Sequence, residues 1–89
     1  MEQPEDEFVG MSHSELRAYL KRLEINVAQV RRRLRQFEDN FGASTEETFA
    51  QLDPDEIEAS PLLSEWAGER EMLLRLESQR VALAERLQL

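Results

Sequence analysis

The chain has no cysteine, and among its 89 residues only one histidine, His13. Disulfides, thiolate metal sites and a cysteine nucleophile are therefore excluded, and one imidazole cannot build a metal centre alone. Glycine is equally scarce: Gly10, Gly42 and Gly68 stand isolated, so there is no glycine-rich loop to cradle a phosphate. Apolar runs are short and broken by charge, far from the roughly 20 residues a membrane span needs. The opening Met1-Glu2-Gln3-Pro4-Glu5-Asp6-Glu7 is acidic, the reverse of a secretion signal, which makes a cytoplasmic location the expectation. Ser12-His13-Ser14 reads as a helix-capping segment rather than a triad fragment. With 19 acidic residues in the chain, neighbouring carboxylates are expected by number alone and do not point to acid–base chemistry. The expectation is a protein that is not an enzyme and that uses no cofactor or metal.

What is present is charge in blocks. The net charge is −8, which argues against broad nucleic-acid binding. Residues 1–11 carry −4, residues 12–36 carry +5, residues 37–60 carry −8 with no basic residue at all, and residues 61–89 carry −1. The one basic cluster is Arg31-Arg32-Arg33-Leu34-Arg35. Consecutive residues point in different directions round a helix, so it reads as a helix surface balanced by acids, with the acidic middle segment as the ready partner; phosphate binding is the alternative.

The second presence is periodicity. Leu16, Leu20, Leu23, Val27, Val30, Leu34, Phe37 and Phe41 follow a 4-3-4-3-4-3-4 spacing without a miss, which is a heptad seam. The helix starts at Ser12 or Ser14 and runs to Phe41, with Gly42 as a left-handed stop. From Leu16 to Phe41 it is roughly 40 Å long at 1.5 Å per residue. Ser44-Thr45-Glu46-Glu47 has capping-box form and opens a short helix over about 44–52, with Phe49 and Leu52 as its apolar edge. Asp53-Pro54 ends it, and Pro54 permits one further turn. Ser60-Pro61, a cap followed by proline at the first helical position, starts the last helix, about 61–88. Leu62, Trp66, Leu73, Leu76, Leu83 and Leu87 form its stripe, with Glu69 and Arg80 falling on the same line, either at its rim or fixing register.

These elements predict an all-α fold: an antiparallel hairpin of two long amphipathic helices with a short helix between them. Residues 1–11 are expected to be a disordered acidic leader and residues 12–89 a single hairpin domain. A chain this small has little room for a closed core and no covalent staple. The stripe on the last helix is wider than one neighbour needs. Dimerisation into a four-helix bundle is the expectation, with the heptad residues of the first helix and the stripe of the last as the packing set.

The middle of the chain also resembles a known family. Phe37-Glu38-x-x-Phe41-Gly42-x-Ser44-x-Glu46-Glu47-x-Phe49, then acids, then Glu65-Trp66, resembles short helical antitoxin-like proteins of prokaryotic two-gene toxin–antitoxin modules. The similarity spans roughly residues 30–75. Phe41 stands where the family has Tyr, Ala43 where it has Met, and Asp53-Pro54-Asp55-Glu56 where a Gly-Glu-Leu is expected. The resemblance implies a binding module that neutralises a cognate partner protein, a toxin such as a nuclease. Partner-binding candidates are Phe49, Leu52, Asp53, Asp55, Glu56, Glu58 and Trp66, the acids imitating phosphates toward a basic site. Trp66, with Phe37, Phe41 and Phe49 at the same end of the hairpin, is expected to form a small aromatic core closing the bundle end, with an aromatic anchor for a partner as the alternative. The alternatives are a structural coiled-coil adaptor and a nucleic-acid binder using Arg31 to Arg35.

Overall fold

A computed structural model describes residues 8–88. Its four helices are α1 (His13–Phe41), α2 (Thr45–Ala50), α3 (Pro54–Glu58) and α4 (Pro61–Leu87). No strand occurs among the described residues. The long helices pack along one another as an antiparallel hairpin, Leu16 and Leu20 meeting Leu83 and Leu87 at one end and Phe37 meeting Trp66 at the other. The hairpin is 44 Å long, 27 Å wide and 18 Å thick.

Each helix starts where its local chemistry requires. Ser12, Ser44 and Ser60 are N-caps whose hydroxyls accept the backbone N–H three residues on, from Glu15, Glu47 and Leu63 respectively. Each satisfies one of the donors that a helix start leaves orphaned. Asp53 caps α3 without a side-chain bond, and Pro54 sits where no N–H is needed. At the end of α1, Gly42 takes φ +74 and its N–H donates to the Glu38 carbonyl at 2.8 Å; a side chain there is strained, which is why glycine ends this helix.

The core lies in two clusters along the seam. Leu16, Leu20 and Leu23 of α1 meet Leu83 and Leu87 of α4 at the open end of the hairpin. Val30 and Leu34 meet Trp66 toward the closed end. Leu76 touches both, and Val27 is buried between them. Phe37, Leu73 and Leu76 are half-buried. Two expected packing residues lie outside this core: Phe41 and Leu62 are each about half exposed. The cause is where α1 stops. Phe41 is its last residue and lies beside Trp66, so Leu62, a turn earlier on α4, has no long helix opposite it. Arg80 is not an isolated charge on the stripe, since its guanidinium donates to Glu77 at 2.9 Å. Glu69 reaches across to Arg33 at 3.0 Å.

The expected leader needs correction at its end. Phe8 is fully buried in the open-end cluster, edge-on to the Tyr19 ring with centroids 5.7 Å apart. The chain reaches this position by a tight reversal: Met11 N–H donates to the Phe8 carbonyl, and Gly10 has φ +86. Phe8 thus plugs the end of the hairpin where no connector exists. Residues 1–7 of the expected leader lie outside the described residues. Phe8→Ala is expected to lower the unfolding free energy by about 3 kcal/mol, the usual cost of deleting a buried aromatic. Val9→Ala, at an exposed position, should change it by less than about 0.5 kcal/mol. Urea unfolding followed by circular dichroism checks both.

Candidate functional site

The closed end of the hairpin concentrates the polar chemistry. Trp66 is fully buried there. Phe37 stacks on it at 5.6 Å, Phe49 meets it edge-on at 5.3 Å, and Phe41 leans on it at 5.0 Å. A buried indole N–H requires an acceptor, because leaving it unpaired costs as much as a lost hydrogen bond. The acceptor is the Thr45 hydroxyl, 3.0 Å away. That hydroxyl donates in turn to Glu38 Oε2 at 2.9 Å, and Thr45 N–H donates to the same oxygen at 2.7 Å. One carboxylate oxygen at the end of α1 therefore holds the first residue of α2, which holds α4. The charge sits at a helix N-terminus, where a negative group is favoured.

Outside this relay lies an open cleft of about 340 Å³, lined by the apolar Leu34, Leu73 and Leu74 and by Arg31, Arg35 and Arg70. Glu46 of α2 closes one side through a two-point contact, Arg70 Nε and Nη2 donating to its two oxygens at 3.1 Å each. Those hydrogen bonds, and then the positive charge of Arg70, hold the Glu46 carboxyl below its ordinary range; the carboxylate in turn raises Arg70. Glu46 is 74% exposed, so the pair is a surface clasp that salt weakens.

A second hollow lies on the far side of α2, between Phe41, Ala43, Leu52 and Leu63. Beside it the connector exposes Asp53, Asp55, Glu56 and Glu58. None of the four forms an ion pair among the described residues. No family model, curated protein or solved structure matches this chain.

The partner-binding candidates thus separate into two groups. Leu52, Asp53, Asp55, Glu56 and Glu58 gather at one exposed end of the molecule. Phe49 is half-buried against Trp66, and Trp66 itself has no surface to offer. Its candidacy as an external anchor is corrected, while the expected aromatic core is what forms: the indole is the centre of the closed-end cluster. The partner expected for the arginine cluster is also corrected. Arg31 pairs with Glu77 and Arg33 with Glu69, both on α4, one on each flank of the seam. Neither reaches the connector acids. Among the described residues, no group of three or more His, Asp or Glu side chains is placed to hold a metal ion, and no helix is long and apolar enough to cross a membrane.

Sequence reasoning missed Glu38, Thr45 and Arg70. Ser44-Thr45-Glu46-Glu47 was legible as a capping box, and Ser44 does cap. The added signal was a threonine next to the cap in a chain with one tryptophan, whose indole needed an acceptor.

Two outcomes follow. Thr45→Val keeps the shape but removes the acceptor from the Trp66 indole and a donor from Glu38. It should destabilise by about 1–3 kcal/mol, while Thr45→Ser should recover most of that; chemical unfolding with Trp66 fluorescence reads both. For Glu46, a folded pKa below the unfolded value means a stability contribution that is present above the unfolded pKa and lost as pH falls through the folded one. A carbon-detected NMR titration should find the Glu46 carboxyl titrating below the ordinary glutamate range. Arg70→Gln should return it to the ordinary range.

Proposed function

We propose that this chain is a small protein-binding module of the antitoxin type, which self-associates and caps a partner through the acidic closed end of the hairpin. The observation that carries the reading is the uncompensated connector. Four exposed carboxylates, Asp53, Asp55, Glu56 and Glu58, have no ion pair among the described residues, although the chain holds a run of arginines that could have neutralised them. Two of those arginines, Arg31 and Arg33, pair with α4 instead. A concentrated negative surface beside the apolar hollow at Leu52 and Leu63 complements a basic protein site with an apolar rim, as a nuclease active site presents. Charge of this kind raises association rate and selects partner by sign. The resemblance of residues 30–75 to antitoxin-like proteins points the same way.

The test is co-expression with the product of the adjacent gene. The expected result is that the neighbour impairs growth alone, is relieved by this protein and co-purifies with it. Replacing Asp53 and Asp55 by Asn and Glu56 and Glu58 by Gln should weaken binding at least about tenfold, a loss of roughly 1.4 kcal/mol. A neighbour that is harmless alone and does not co-purify contradicts the proposal.

A further inference from the structure

Helix α4 carries more apolar surface than α1 covers. Leu74 and Val81, seven residues apart on one stripe, lie off the seam and are 56% and 47% exposed. Across the same broad face, α1 presents the opposite relief. Ala28, small and exposed, sits in a shallow hollow with Val27, Arg31 and Arg35. One side of the face is therefore a ridge and the other a hollow.

The hairpin's own contacts fix which positions are level. Arg31 pairs with Glu77, Arg33 with Glu69, and Phe37 stacks on Trp66. On that register Ala28 lies level with the gap between Leu74 and Val81, Arg35 with Glu71, and Lys21 with Glu85. A half-turn about an axis running along the helices carries α4 of one copy over α1 of another while keeping these levels. We propose that a second copy of this chain docks on this face in that way. Leu74 and Val81 of each copy straddle Ala28 of the other, and Glu71 and Glu85 come opposite its Arg35 and Lys21. This rests on the self-association in the proposed function and assigns its surface.

Two observations select this occupant. Lys21, Arg35, Glu71 and Glu85 are all exposed, and none is in an ion pair among the described residues. A half-turn about the perpendicular in-plane axis would also bury Leu74 and Val81, ridge on ridge. It would, however, set the basic face of α1 against its own copy, so charge favours ridge on hollow. A C2 contact requires the same patch to be complementary to itself, as this face is. At 44 × 27 Å it is large enough for the roughly 800 Å² per partner of a standard interface.

Sedimentation equilibrium at micromolar concentration, with circular dichroism as the control for folding, tests the assignment. The wild type is expected to be a dimer, and L74R/V81R a folded monomer. E71R/E85R is expected to dissociate, and adding K21E/R35E to it should restore the dimer. A wild-type monomer overturns both self-association and this face. A dimer that persists in L74R/V81R overturns the face while leaving self-association standing. Failure of the charge exchange to restore the dimer overturns the ridge-on-hollow arrangement. If the wild type is a monomer and L74R/V81R loses the adjacent gene's product instead, the face belongs to a foreign partner and the inference is wrong.

Discussion

A buried indole with one N–H and few polar groups within reach constrains the whole closed end of this molecule. Trp66 is enclosed by Phe37, Phe41 and Phe49, and its N–H must find an oxygen inside that shell. Thr45 supplies it, and Thr45 is itself held by Glu38. The consequence is that the direction of α2 is not free. Its first residue must lie over the tryptophan and against the end of α1, which needs the reversal at Gly42. With α2 so placed, Glu46 falls within reach of Arg70, and the acidic connector is carried round to the outside.

Along the rest of the seam, apolar contacts supply the cohesion and ion pairs set the register. Arg31 with Glu77 and Arg33 with Glu69 lie beside the closed-end cluster at Val30 and Leu34. Exposed pairs of this kind add little stability, about 0–1 kcal/mol each. Their effect lies in register, since a one-turn slip of α4 along α1 would break both at once.

The long helices were legible because a heptad seam and serine caps are local signals. The spacing from Leu16 to Phe41, Ser12 before it, Gly42 after it and Ser60-Pro61 further on each mark a boundary that neighbouring residues can read. Phe8 was not legible, because one aromatic in an acidic stretch has no period, and its burial depends on the open end of a hairpin formed by residues far along the chain. The relay at Thr45 was hidden for a related reason. Its three side chains are 7 and 21 residues apart, and only the folded hairpin brings them together. Phe41 and Leu62 were misplaced because a stripe shows which face is apolar but not where the opposing helix ends. The acidic connector was legible as composition, but its lack of ion partners among the described residues was not.

The closed end of the hairpin depends on the Trp66 indole being shut away from water and bonded to Thr45. Amide and indole hydrogen exchange by NMR measures that directly. The indole N–H of Trp66 and the backbone N–H of Thr45 should be protected to the same degree as the amides of Val30 and Leu34, so that all four exchange together through one opening of the hairpin. An indole proton exchanging at the rate of a free side chain, while the amides of Val30 and Leu34 stay protected, would contradict the account.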